Sequence, residues 1–319
     1  SARLSEEGVV FRRLALLDGG RLRRDLAAHL AGCRQPDVVR ADLEAQIAAN
    51  AHAARLLREL GDADLLAAWM VHLQDVAADA VAALLPSLAA ASASDRVEDL
   101  PLQVAVAVRG GRLRVDFSGT GGPHAGNLNA PPAVVRAAVL YTLRVLVDRP
   151  IPLNEGALRA VDLVLPSPSL LDPPAGAAVA GGNVETSQRI VDALLLAFGR
   201  SAAGPGSMSN LTLGGQGWSL YETIGGGSGG TPRSYGASGR QVHMTNTRAT
   251  DPEVLERRLP LRVRRFSLRP GSGGPGEHPG GDGLVREIEL RAPGSAALLA
   301  AWREGGAPGL GGGSGAPGQ

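Results

Sequence analysis

Residues 181–199 read GGNVETSQRIVDALLLAFG: two glycines, a polar run, then an apolar stretch closed by Gly199. The apolar half has the length of a buried helix, with Gly199 as its natural stop. A helix N-terminus leaves its first amides without intrahelical partners, and the aligned peptide dipoles favour negative charge there. Crowding Asn183, Glu185, Thr186, Ser187, Gln188 and Arg189 at that point predicts a place able to hold a carboxylate or a developing oxyanion, with the Gly181 and Gly182 amides as donors. The plainer reading is that Thr186 or Asn183 caps the helix and the glycines turn the chain.

The flanking sequence sets the fold class. Upstream, Val39, Leu43, Ile47, Ala54 and Leu57 recur at helical spacing up to Gly61,. Leu66, Met70, Leu73, Ala77, Ala80 and Leu84 form a second stripe up to Pro86, so 37–85 predicts an antiparallel helical hairpin,. Residues 91–99 read as a polar connection. LQVAVAV and RLRVDF then alternate with period two around Arg109-Gly110-Gly111, a hairpin signal,. That register puts Leu113, Val115 and Phe117 on one face and Arg112, Arg114 and Asp116 on the other. A helix opens at Pro131-Pro132, VDLVLP follows as a short buried strand, and beyond Gly199 come strands at SLYETI, RVRRFSL and LVREIEL with a short helix from Asp251-Pro252,. Parallel βαβ alternation is not sustained, so the class is α+β: a helical hairpin followed by a mixed region rich in glycine loops. The expected division is a helical segment at 1–91, a mixed core at 92–302 and a disordered Gly/Pro-rich tail at 303–319.

Composition narrows the chemistry. The 319 residues carry a formal net charge of +1, so no global field recruits nucleic acid,. No lysine occurs: all 32 basic residues are arginine, which excludes Schiff-base lysines and phosphate-binding loops of the GxxxxGK[ST] kind,. The single Cys33 rules out an internal disulfide or a multi-cysteine metal site and fits a reducing, cytosolic compartment,. No apolar run is expected to reach membrane-spanning length, since Arg144 interrupts AAVLYTLRVLV,. The N-terminus has neither Met nor a targeting core, as though the chain began in mid-sequence,.

Five polar segments stand out: DFSGTGGPHAGNLN, IPLNEG, GGNVETSQR, YETIGGGSGG and VHMTNTR. YETIGGGSGG lacks dinucleotide-loop spacing, which excludes a Rossmann reading. If VHMTNTR is extended, His243, Thr245 and Thr247 share one side, with Asn246 and Arg248 on the other.

In order along the chain, SEEGVVF, DLEAQIAAN, DFSGTG, GNLNAP, IPLNEG, GGNVETSQR, YETIGGG, HMTNTR, TDPEVLERR, LRPGSGG and GGDG resemble the hydantoinase B and 5-oxoprolinase family from about Glu6 to about Arg291. They are most similar to the C-terminal portion of its eukaryotic-type members. The resemblance implies an ATP-dependent amidohydrolase that opens 5-oxo-L-proline to L-glutamate. ATP and Mg would enter through a separate, kinase-like hydantoinase A portion that phosphorylates the amide oxygen, with nothing bound by this chain alone. It also implies that partner domain or subunit, a homo-oligomer, and no nucleic acid or membrane. The expected catalytic residues are Glu185, His243 and Asp116. Asn127, Asn129, Asn183, Gln188, Arg189, Glu222, Asn246 and Arg248 would line the substrate, and Gly181 and Gly182 would supply the oxyanion donors. No metal ligands are expected within the chain; relatives carry His- and Asp-containing segments upstream of the position of Ser1. After Arg291 the sequence leaves the family pattern, which suggests a fragment. Two alternatives stand beside the enzyme: a non-catalytic scaffold for the A-like partner, and a hydantoin-directed relative.

Overall fold

The computed structural model describes residues 1–33, 35–303, 305–311 and 313–314. Short strands β1 (Leu17–Asp18) and β2 (Arg21–Leu22) pair at the N-terminus and are followed by α1 (Leu26–Leu30). The two expected long helices follow as α2 (Pro36–Glu59) and α3 (Ala63–Leu84), with Asp62 capping α3 by accepting from the amides of Asp64 and Leu65,. No residue of α2 is buried, and of the α3 stripe only Ala77 and Ala80 are, while Met70 and Leu73 stay exposed. By length and composition the stretch Ala63–Ser87 would suffice to cross a membrane, with a mean hydropathy of 1.2, correcting the expectation that no run reaches that length. Its apolar character accumulates around Asp64, Asp75 and Asp79 rather than in an unbroken run.

The core sheet has the order β3-β4-β5-β6, built from β3 (Ala91–Val97), β4 (Leu100–Arg109), β5 (Arg112–Asp116) and β6 (Val161–Val164). The first three strands are antiparallel and β6 runs parallel to β5 after a helical crossover. The predicted alternation in β5 holds: Leu113, Val115 and Phe117 are buried. Residues 91–97 form an edge strand, where the sequence suggested a connection. Its inward side chains are Ala91, Ala93, Asp95 and Val97, and with two alanines and an acid ahead of the single valine they give little apolar signal,.

Helices α4 (Pro132–Leu146) and α5 (Ser187–Ala197) pack on each other, and α5 lies on β3 and β4. Ile190, Val191, Ala193 and Leu194 of α5 meet Val104, Val106, Val135 and Val139 in one core, each fully buried Val, Leu or Ile contributing about 1.5–3 kcal/mol,.

A second layer combines β7 (Asn210–Gly215), β8 (Trp218–Thr223) and the late strand β11 (Gly294–Leu299) in the order β11-β7-β8. β9 (Leu261–Leu268) pairs with β10 (Leu284–Leu290), and α6 (Pro252–Arg258) packs on β9 through Leu255 and Leu261.

Between these strands the glycine-rich segments pack backbone to backbone. A Cβ on Gly229 would sit 2.0 Å from the Ala202 carbonyl oxygen, on Gly230 2.0 Å from that of His278, and on Gly281 2.2 Å from that of Ala237. These glycines are required by close approach. Of the tail expected to be disordered, 304, 312 and 315–319 lie outside the described residues, while the Pro308 carbonyl accepts the Ala203 amide at 2.8 Å.

Candidate functional site

The polar run at 183–189 enters α5 through a π-helical turn, Gly182–Thr186, a geometry that widens the backbone and is frequent at functional sites,. Its two glycines are packed against the 127–130 segment: a Cβ on Gly182 would lie 2.0 Å from the Asn129 carbonyl oxygen, and one on Gly181 2.7 Å from Leu128. The Gly181 amide donates to Asn127 at 2.8 Å and the Gly182 amide to Val179 at 3.0 Å, so both expected oxyanion donors are engaged inside the fold. Thr186 Oγ1 donates to the Leu128 carbonyl. Asn129 is wholly buried, its side chain clamping the loop through His124, Gly126 and Ala178.

The next turn of α5 gathers three distant segments. Gln188 donates to Thr245 Oγ1 and accepts the Met244 amide at 3.2 Å, fixing the HMTNTR segment as a turn. Glu185 accepts from Asn210 Nδ2 at 3.0 Å and from the Ala301 amide at 2.8 Å. Burial pushes its carboxyl up to about 7, against the opposing pull of Ser207 and the Ala301 amide,. Arg189 donates to the Gly206 carbonyl at 2.9 Å, to Asp95 at 3.3 Å and to the Ala301 carbonyl. Burial and the neighbouring Arg303 push its guanidinium down to about 10.

One turn further along α5 stands Asp192, fully buried. One oxygen accepts from the Gly204 amide at 2.7 Å and lies 2.7 Å from His243 Nε2; the other accepts from Arg303 at 2.8 Å. Burial pushes this carboxyl upward, but Arg303 and His243 outweigh it and hold it far below the usual carboxylate range. Arg303 also donates to Asp95 at 2.5 Å and to the Gly204 carbonyl at 2.7 Å. Two carboxylates and two guanidiniums thus balance in charge in the interior, with Arg303 Nε left buried without a partner among the described residues,. His243 adopts a left-handed backbone, φ 56°, uncommon for a side-chain-bearing residue and costly unless the surroundings impose it,.

The structure therefore brings Glu185, Gln188, Arg189 and His243 into one connected cluster. Asn183, within the π turn, is exposed. Asp116 lies apart, paired with Arg114 at 2.7 Å and capping the Ser118 amide, with its carboxyl drawn down to about 2 chiefly by Ser118 and Arg114. The four-residue convergence of Asn183, Glu185, Asp116 and His243 is not formed. Asn127 contributes its backbone carbonyl, and Asn246 is exposed.

Glu222 and Arg248 line a separate pocket of about 360 Å³, where Glu222 pairs with Arg286 at 3.0 Å and accepts the Thr250 amide at 3.0 Å. A larger cavity of about 910 Å³ is walled by the glycine segments. Sequence reading missed Asp95, Asp192 and Arg303. For Asp192 a signal existed: a lone acid inside IVDALLLAFG must find partners if that helix is buried,.

This α+β arrangement recurs in solved ATP-dependent enzymes. The chain is similar to nucleotide-free acetone carboxylase, with a TM-score of 0.81 at 16% identity over 99% of this chain and 48% of that one. It is also similar to the ATP-dependent caprolactamase from Pseudomonas jessenii, with a TM-score of 0.78 at 24% identity over 91% and 55%. At those identities the likeness shows the shared fold.

The family model described as hydantoinase B/oxoprolinase matches residues 1–319, and the chain belongs to that family. It is 44% identical to 5-oxoprolinase 1 of Arabidopsis thaliana over 85% of this chain and 23% of the relative. It is 38% identical to 5-oxoprolinase of Dictyostelium discoideum over 91% and 24%. The chain spans about a quarter of the length of these relatives, matching the C-terminal part.

Proposed function

We propose that this chain is the hydantoinase B-like C-terminal part of an ATP-dependent 5-oxoprolinase that opens 5-oxo-L-proline to L-glutamate. An unactivated lactam has a poor electrophilic carbon and a poor leaving nitrogen. ATP, held by a hydantoinase A-like portion outside this chain, supplies phosphoryl activation of the amide oxygen. With no lysine and no phosphate-binding loop, this chain is poorly suited to that role itself,. Among the described residues no group of three or more His, Cys, Asp or Glu is placed to hold a metal.

The observation that carries the reading is the His243–Asp192 pair. Glu185 is sealed from solvent with both oxygens engaged, whereas the His243 side chain is 10% exposed. A carboxylate cannot donate, so the hydrogen between Asp192 and Nε2 belongs to the imidazole, and Nδ1 of the neutral ring is the acceptor,. In this reading Nδ1 takes a proton from water as its oxygen attacks the activated carbon.

The test pairs the chain with its A-like portion and measures ATP-dependent glutamate release. His243→Asn is expected to lower kcat by about 10²–10⁴-fold with association intact. Undiminished turnover would sink the reading. The scaffold alternative has one observation in its favour: most polar groups of 181–189 are engaged within the chain itself. Loss of association in the same variant would support it.

A further inference from the structure

The segment following β11, which the sequence reading set outside the family pattern although the family model matches through residue 319, enters the centre of the charged cluster. The Ala301 amide and carbonyl are taken by Glu185 and Arg189, and Trp302 Nε1 donates to Ser209 Oγ at 3.1 Å. Arg303, six per cent exposed at its side chain, then reaches Asp95 and Asp192 with one nitrogen and the Gly204 carbonyl with another.

The Asp192 carboxylate has two oxygens and three donors. The Gly204 amide and His243 share Oδ1, and Arg303 holds Oδ2. Gly204 is gripped from both sides, its amide by Asp192 and its carbonyl by Arg303, so the carboxylate plane is pinned at both ends. The other groups around His243 are Tyr141 of α4, whose ring centroid is 6.1 Å away edge-on, together with Asp95 and Arg189 behind Arg303. None of these bonds the imidazole directly among the described residues.

We propose that Arg303 is a positioning residue: by pinning the second oxygen of Asp192 it fixes the hydrogen of His243 on Nε2 and leaves Nδ1 free to accept a proton from water. This rests on the reading of His243 as the base. Without Arg303 the carboxylate can rotate toward Arg189, its grip on Nε2 loosens, and the neutral ring redistributes between its two tautomers.

The experiment is two-bond 15N–1H correlation on the 15N-histidine-labelled chain at about pH 8.5, above the ordinary imidazole midpoint of about 6.5. His243→Asn assigns the resonance among the six histidines. The parent chain is expected to show His243 as a single Nε2–H tautomer, and a parent ring carrying its hydrogen on Nδ1 overturns the proposal whatever the variants do. Arg303→Gln is expected to give a mixture of tautomers. Because that change leaves buried carboxylates undercompensated and can unfold the chain, Asp95→Asn with Arg303→Gln removes one charge of each sign. The double variant is expected to behave like the single one, and a folded variant keeping the parent tautomer overturns the proposal.

Turnover with the A-like portion separates the two claims. Arg303→Gln is expected to lower kcat by about 10-fold or more with KM little changed. If His243→Asn leaves turnover intact, the base reading fails even where the tautomer result stands. If His243→Asn abolishes turnover while Arg303→Gln changes neither tautomer nor kcat, only the positioning role fails.

Discussion

Glu185 and Ala301 meet across 116 positions of sequence, the amide of Ala301 donating to Glu185 Oε2 at 2.8 Å. This bond closes the C-terminal segment over the start of α5, and the buried carboxyl that receives it is pushed up to about 7 from an ordinary 4.5. Between those two values the folded chain holds a proton that the unfolded chain has released. The stabilisation from Glu185 is therefore complete below about 4.5, falls as pH rises through about 7, and is gone above it. The expected loss is on the order of 3 kcal/mol. Urea titrations at intervals from about pH 5 to 8 check this, and Glu185→Gln is expected to flatten the profile across that window.

Glycine contacts give a sharper test of the packing. Gly182→Ala would drive a methyl to 2.0 Å from the Asn129 carbonyl oxygen, at the turn on which the whole cluster is built. The expected cost is roughly 3 kcal/mol or more, since two backbones would have to part. Gly122, in the SGTGG loop after β5, has nothing within 4 Å of its would-be Cβ, and Gly122→Ala is expected to stay within about 0.5 kcal/mol,. Equal stability of the two variants by thermal melting would contradict the close approach.

These contacts show how far the sequence could be read. Periodicity marked α2, α3 and the strands β4 and β5, although α2 buries no residue, while proline and glycine signals marked α4, α5 and α6. It failed at β3, where Asp95 occupies an inward position that an apolar residue would normally mark, and at β11, whose small residues follow no alternation. Within the site, Glu185, Gln188, Arg189 and His243 were legible as an unusual polar density. Their arrangement was not, because Asp95 and Arg303 lie 94 and 111 positions away from their partners Arg189 and Asp192 on α5 and carry no local pattern. Asp116, polar and beside glycines, looked like a site residue, while its carboxylate is taken locally by Arg114 and the Ser118 amide.

The exposed arm predicts tolerance. Leu65, Trp69 and Met70 of α3 are each more than half exposed, while the buried anchors of that helix are Ala77, Ala80 and Val81. Replacing the three exposed residues together by Gln is expected to change the unfolding free energy by no more than about 1 kcal/mol, and Ala80→Gln by several. A large loss in the triple variant, read by chemical denaturation, would mean that this face is covered in solution.

Glu222 and Arg286 offer a way to separate architecture from chemistry in the second pocket. Their side chains are 4% and 1% exposed, the ion pair closes at 3.0 Å, and the guanidinium carbon lies 4.4 Å above the centre of the Phe266 ring. Breaking such a pair from one side strands a buried charge, so Glu222→Leu and Arg286→Met are each expected to cost about 3–5 kcal/mol. The double variant removes both charges and is expected to recover most of that, with a coupling energy above about 1 kcal/mol in the cycle. If the pair is architectural, the recovered double variant assembled with the A-like portion turns over normally. If Glu222 touches the substrate, as the sequence suggested, stability returns while kcat/KM stays depressed, because the apolar replacement restores packing and cannot restore a hydrogen bond to a bound lactam.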